Sequence, residues 1–221
     1  MRDQRADLEW RAGGVPVSLQ FDDPYFSLDN GLAETRHVFL NGNDLPARFV
    51  DGFAIAELGF GTGLNFLTTW AAWRAAGAPG AFRFTSFEAY PMAPEDMAAA
   101  HAAFPEVEGL GQALVENLSD GRAEFEDATL EVIAGDARKT LPNWQGMADA
   151  WYLDGFSPAK NPEMWGPDLM ADVARHTNPK GTAATYTAAG FVRRGLEAAG
   201  FDVTRTPGFG RKRHMTRATL R

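Results

Sequence analysis

Phe53-Ala54-Ile55-Ala56-Glu57-Leu58-Gly59-Phe60-Gly61-Thr62-Gly63-Leu64-Asn65 is the stretch from which the fold is read. Phe53 to Leu58 is a short apolar run that carries a carboxylate near its end, the length and composition of a buried strand. Gly59, Gly61 and Gly63 supply a turn in which backbone can approach a ligand closely. Leu64 to Ala76 then reads as a helix, closed by Gly77-Ala78-Pro79-Gly80.

Outward from this unit the alternation repeats. Phe82 to Glu88 is aromatic-rich and alternating, hence a strand. Pro94 to Phe104 and Leu110 to Leu118 read as helices, and Thr129 to Ala134 as a strand ending at Gly135-Asp136. Ala148 to Leu153 is a strand ending at Asp154-Gly155, and Pro167 to Thr177 is helical. Asn178-Pro179-Lys180-Gly181 reads as a turn, Thr182 to Thr187 as a strand, and Phe191 to Ala199 as a helix. Phe201 to Arg205 and His214 to Leu220 form a hairpin around Gly208-Phe209-Gly210, which makes the last strand antiparallel at or near the sheet edge. Strands alternating with helices imply right-handed crossovers and a mostly parallel sheet. The expectation is an α/β, Rossmann-like domain over 51–221 with seven strands. A small N-terminal extension over 1–50 packs on its core, Met1 to Gly14 being weakly docked. Asp22-Asp23-Pro24 and Asn41-Gly42-Asn43-Asp44 are turns within that extension.

With 221 residues, 45% hydrophobic and 23% charged, the chain suits one globular domain. It has no run near the roughly 18 apolar residues of a membrane span, and Met1-Arg2-Asp3-Gln4-Arg5 has no apolar segment behind it. A cytoplasmic location away from membranes is therefore expected. Cysteine is absent, which excludes disulfides, thiolate metal sites and a cysteine nucleophile. His37, His101, His176 and His214 are not in metal-ligand spacing, so no metal is expected. The net charge of −8 argues against polyanionic partners. Yet from Val203 onward there is no acid, while Arg205, Arg211, Lys212, Arg213, Arg217 and Arg221 all fall there, a local basic patch.

In open α/β sheets ligands bind outside the carboxyl ends of the strands. Glu57, Glu88, Asp136 and Asp154 fall at such ends. The glycines lie at positions one, three and five, where a dinucleotide fingerprint wants one, three and six, and the loop holds no basic residue for a pyrophosphate. The pattern suits a nucleoside ligand without phosphates, such as S-adenosylmethionine, whose cationic groups match Glu57 and Asp154. Glu88 has the place of a ribose-binding acid, and Asp136 with Ala137 the place where an adenine edge is read. The alternative is that each carboxylate caps a helix or turn. Leu153 to Trp165 is a proline-rich loop that walls an acceptor pocket with aromatics able to stack on a base, or a surface loop anchored by Trp165.

Gln20 to Ser27, Gly31 to Arg36, Glu57 to Leu67, Leu153 to Trp165, Ala189 to Leu196 and Gly208 to Arg213 together resemble the methyltransferase half of the MnmC family of bacterial tRNA wobble-uridine modification enzymes. The resemblance runs over nearly the whole chain from about Val15. It implies a class I S-adenosylmethionine-dependent methyltransferase acting on the amine of 5-aminomethyl-(2-thio)uridine in tRNA to give the 5-methylaminomethyl form. It implies cofactor contacts from Glu57, Gly59, Phe60, Gly61, Thr62, Gly63, Asn65, Glu88, Asp136 and Ala137. Substrate contacts fall to Tyr25, Glu34, Thr35, Phe156, Lys160, Trp165, Arg193, Arg194, Arg211, Lys212 and Arg213. The FAD-dependent domain of bifunctional members has no room in 221 residues, so no FAD is expected. An alkylamine must lose a proton to attack, and Asp154 is the candidate acceptor of it. Without cysteine the covalent route of carbon-5 pyrimidine methyltransferases is closed, leaving nitrogen as the natural acceptor. The competing readings are a small-molecule N-methyltransferase or aminopropyltransferase on the same fold, and a non-catalytic nucleic-acid binding module.

Overall fold

The computed structural model describes residues 5–27 and 30–221. The chain begins with β1 (Leu8–Arg11), β2 (Val15–Ser18) and β3 (Asp23–Pro24), followed by α1 (Gly31–Thr35). Then come β4 (Ala54–Leu58), α2 (Leu64–Ala75), β5 (Phe82–Glu88), α3 (Pro94–His101), α4 (Glu108–Asn117), β6 (Arg122–Glu124), β7 (Ala128–Ala134) and α5 (Ala137–Thr140). The last elements are β8 (Ala148–Leu153), α6 (Pro167–Arg175), β9 (Thr177–Thr185), α7 (Gly190–Ala198), β10 (Phe201–Pro207) and β11 (His214–Leu220). Two sheets result among the described residues: β1-β2-β3, and an eight-stranded sheet in the order β10-β11-β9-β8-β4-β5-β7-β6.

β7, β5, β4, β8 and β9 run parallel, and β11 lies antiparallel between β9 and β10. The α/β, mostly parallel architecture is thus as the alternation implies, with β11 one place in from the edge. The strand count differs from the seven expected. The eighth is β6, three residues paired antiparallel to β7 at the far edge. It is too short to show alternation, and its pairing depends on a turn in which Asp120 and Gly121 take left-handed conformations. The expected turn at Asn178 to Gly181 is inside β9 instead. Lys180 has φ 62° there and the register with β8 shifts between Ala148 and Ala150, so the strand absorbs the turn residues as an irregularity. The N-terminal expectation also needs correction: Leu8 to Arg11 pair with Val15 to Ser18, and Ala6 N–H donates to Pro91 O at 3.2 Å. Residues 1–4 of that segment lie outside the described residues.

Successive strand residues face opposite sides of the sheet, and both sides are covered. Ile55, Phe84, Ala150, Tyr152 and Ala184 join one core with α2 and α4, while Ala56, Leu58, Phe87, Trp151, Leu153 and Ala183 join the other with α5, α6 and α7. Leu32, Val38, Phe39, Leu40, Leu45 and Phe49 belong to the first core, so residues 31–49 pack as part of the main body. Asn43 fastens them: fully buried, its Nδ2 donates to Phe39 O (2.9 Å) and Trp151 O (3.3 Å), and its Oδ1 accepts from Thr182 Oγ1 (2.6 Å). No helix among the described residues is long and apolar enough to cross a membrane.

β4 is the topological switch point, since its crossover to β5 leads to one side and β8 lies on the other. The crevice above β4 is where such sheets hold ligands. Because Asn43 ties 31–49 to the strands beneath that crevice, Asn43→Ala, which removes three buried hydrogen bonds, is expected to cost on the order of 3 kcal/mol. Urea unfolding followed by tryptophan fluorescence checks this, and a single shifted transition is expected rather than a separate early one.

Candidate active site

Above the ends of β4, β5 and β8 the structure holds a cavity of about 510 Å³, within the usual range for small-molecule and cofactor sites. Its floor is the loop after β4. Gly59 has φ 84°, and a Cβ there would lie 3.1 Å from Gly155 Cα, so the loops after β4 and β8 touch backbone to backbone. Gly61 has φ 54°, and a Cβ on it would come within 3.0 Å of the Tyr25 ring. Both positions demand glycine for conformation and for space.

Asn65, in the first turn of α2, organises the polar side of the cavity. Its Nδ2 donates to Glu57 Oε1 and to Asp154 Oδ2, both at 2.7 Å, and its Oδ1 accepts from Thr35 Oγ1 at 2.9 Å. Glu57 Oε2 accepts from Ser86 Oγ at 2.7 Å, the residue directly opposite it in the β4–β5 register. Asp154 Oδ1 accepts from Gly155 N–H at 2.8 Å. Glu88, ending β5, accepts from Gly61 N–H at 2.9 Å and Tyr90 N–H at 2.8 Å. Burial pushes Glu57 well above the usual carboxylate range, opposed by the Ser86 and Asn65 hydrogen bonds and reinforced by the Asp154 charge. Burial also raises Glu88, against its backbone donors. It raises Asp154 to about 6, with Asn65, Gly155 and the Lys212 charge acting the other way.

The opposite wall is aromatic. Phe156 stacks on Phe21 (centroids 4.7 Å apart) and meets Tyr25 edge-on (5.1 Å). Ser157 N–H donates to Asp23 Oδ2 at 2.8 Å, which staples the loop after β8 to the small N-terminal sheet. Tyr186, just past β9, donates its hydroxyl to Gly155 O at 2.8 Å. The turn between β10 and β11 covers the mouth with Arg211 and Lys212.

Of the residues singled out from sequence, Gly59, Phe60, Gly61, Thr62, Asn65, Glu88 and Ala137 line the cavity. Tyr25, Glu34, Thr35, Asp154, Phe156, Arg211 and Lys212 line it too. Others stand elsewhere. Glu57 is fully buried beneath Asn65 and has both oxygens engaged, so it acts through Asn65. Gly63 faces Phe60 and Leu114. Asp136 caps α5 and is ion-paired with Arg138 at 2.7 Å, the alternative open for any one strand-end acid. Lys160 is ion-paired with Asp22 at 2.6 Å. Trp165 is buried with Nε1 donating to Phe156 O at 3.0 Å, so it anchors the loop and offers no face for a base. Arg193, Arg194 and Arg213 are off the cavity wall, and the Nε of Arg193 is buried without a hydrogen-bond partner among the described residues. Tyr186, Phe21, Asp23 and Ser86 also belong to the site and were not among the expected residues. Tyr186 lies at the carboxyl end of an expected strand, one residue before its last, and that position, close to the one Asp154 has on its own strand, was the available sign. Among the described residues no group of three His, Asp or Glu side chains is placed to hold a metal.

Residues 105–221 match the S-adenosyl-L-methionine-dependent methyltransferase family; Asp154, Tyr186 and Lys212 fall inside that span and the glycine loop before it. The chain is 45% identical to the tRNA 5-methylaminomethyl-2-thiouridine biosynthesis bifunctional protein MnmC of Stutzerimonas stutzeri over 98% of its own length and 35% of that protein. It is 47% identical to the protein of the same name from Aeromonas hydrophila, over 95% of its length and 34% of that protein. The chain thus spans about a third of these relatives. Among solved structures, MnmC2 from Aquifex aeolicus superposes with a TM-score of 0.79 at 27% identity, covering 100% of this chain and 72% of that one.

A carboxyl raised from 3.8 to about 6 on folding costs the folded state stability as pH climbs between those values, because the unfolded chain ionises first. Asp154→Asn removes that cost. The stability difference between variant and parent, from urea midpoints at pH 4 and pH 7, is expected to move in the variant's favour by on the order of 1–3 kcal/mol. A pH-independent difference would give Asp154 an ordinary carboxyl.

Proposed function

This chain belongs to the S-adenosyl-L-methionine-dependent methyltransferase family, and from that premise we propose that it methylates the primary amine of 5-aminomethyl-(2-thio)uridine at the wobble position of tRNA, in the cytoplasm. The cavity suits the cofactor: its floor is the bare backbone of Gly59 and Gly61, where a side chain would run into Gly155 or Tyr25, the loop after β4 carries no cation, and the Glu88 and Asp154 carboxylates stand on its walls. Glu88 would take the ribose hydroxyls, and the loop from Gly59 to Thr62 with Ala137 would seat the remainder. S-adenosyl-L-methionine supplies, when bound, a methyl group on a positively charged sulfur.

The chain's own part is to orient an amine and relieve it of a proton. Asp154 is fixed by Asn65 and Gly155 and is ionised at neutral pH, since its carboxyl titrates near 6. A primary alkylamine arrives as an ammonium. Asp154 holds that ammonium and accepts its proton, directly or through water. Orientation by a pre-positioned carboxylate supplies much of the rate in such a displacement.

The observation that carries the tRNA reading over a small-molecule substrate is at the rim. The chain is acidic, and surplus acids consume several of its C-terminal cations: Arg217 pairs with Asp44 and Arg221 with Asp202. Arg211 and Arg213, exposed in the turn at the cavity mouth, have no such partner among the described residues. Arg36 and Arg205 are exposed and likewise unpaired. Cations left free beside an amine-binding cavity suit a polyanionic substrate.

Two outcomes are expected. With tRNA bearing 5-aminomethyluridine and labelled cofactor, label should appear in the wobble nucleoside, and Asp154→Asn should lower kcat by about 10²–10⁴ with much less effect on tRNA affinity. Label in small amines but not in tRNA would overturn the reading. Arg211→Ala with Arg213→Ala should weaken tRNA binding and reduce the log–log salt slope by about 0.7–0.9 per lost phosphate contact, measured by filter binding from 50 to 300 mM salt, without altering cofactor affinity.

A further inference from the structure

Lys212 does not behave like its neighbours in the basic turn. Its Nζ lies 2.7 Å from Glu34 Oε1 and 4.1 Å from the centroid of the Tyr186 ring. Glu34, Asp154, Tyr186 and Lys212 all line the same cavity. The Glu34 side chain is only 12% exposed, whereas that of Lys212 is 45% exposed. An ammonium on a flexible stem is thus inserted from the surface against one aromatic face and the Glu34 carboxylate, in a cavity whose wall also carries Asp154. This is the recognition chemistry of an alkylammonium ion. The turn that carries it is closed by few bonds, Gly208 N–H to Arg213 O at 3.2 Å and Lys212 N–H to Phe209 O at 2.9 Å, so the side chain can withdraw while the hairpin remains.

We infer that the Glu34–Tyr186–Asp154 cage is the seat of the acceptor's ammonium group, and that Lys212 fills this seat in the substrate-free protein and withdraws when the acceptor enters. The inference rests on the amine-acceptor reading above and specifies its pocket. Two consequences follow from the geometry. With Lys212 in place, the partly buried Glu34 is not left as an uncompensated charge. And a free amine must compete with a lysine tethered at millimolar effective concentration. An acceptor carried on a phosphate backbone does not face the same loss, because the displaced lysine joins Arg211 and Arg213 at the rim. Lys212 is on this view a specificity-determining residue that holds off free amines.

The test is binding of propylammonium to the full chain, followed by NMR chemical shifts at pH 7.5. Lys212→Met is expected to bind it at least tenfold more tightly than the parent, and adding Glu34→Gln is expected to return the affinity to the parent's weak value. Should that double variant not fold, Lys212→Met with Tyr186→Leu serves the same purpose. Equal affinities for the parent and Lys212→Met, or tight binding that survives loss of Glu34 or Tyr186, would overturn the inference. The readout does not involve tRNA. Failure to methylate tRNA leaves these expected affinities as they stand, while unchanged affinities refute the cage even if tRNA is methylated.

Discussion

One amide group holds the site together. Asn65 places a single Nδ2 between Glu57 and Asp154 while its Oδ1 accepts from Thr35. Two carboxylates from neighbouring strands would otherwise face each other in a partly dry crevice, where like charges cost most. The amide separates them, and Ser86 takes the outer oxygen of Glu57. Because Thr35 belongs to α1, the same residue also ties the N-terminal segment to the strand ends. Remove the amide and the floor, the acid of β8 and the lining helix lose their common reference.

The cost of this arrangement is visible in the carboxyls. Burial raises Glu57, Glu88 and Asp154 together, so each ionised group lowers the stability of the empty protein. Proteins keep such groups where a ligand will compensate them. In the proposed reaction the compensation is cationic, from the cofactor and then from the acceptor amine. Lys212 plays that part in the structure at hand, through Glu34 and the face of Tyr186.

An acidic protein must segregate its charges if it is to act on RNA, as proposed for this one. Here the segregation works by pairing. Lys160 is held by Asp22, Arg138 by Asp136 and Arg217 by Asp44. Among the described residues, Arg211 and Arg213 of the β10–β11 turn are left without such partners at the mouth. Total charge therefore says little about the partner, and the pairing pattern says more.

The sequence by itself determined the alternation of strands and helices, the glycine turn after β4 and the acids that end β5 and β8. These are local properties: periodicity, glycine spacing and a carboxylate at the end of an apolar run are written within a few residues. It did not determine β6, whose three residues carry no period, nor the course of β9 through Asn178 to Gly181, where pairing with β8 overrides turn propensity. Only the tertiary structure decided which acids face the cavity. Glu57 and Asp136 have the same local context as Glu88 and Asp154, but the first is covered by Asn65 and Ser86 and the second is spent on capping α5. The fates of Trp165, Lys160 and Lys212 were likewise decided by partners far away in the chain, Phe156 excepted. A side chain's role depends on which partner it meets across the fold, and that meeting is set by the packing of elements distant in sequence, which no local pattern records.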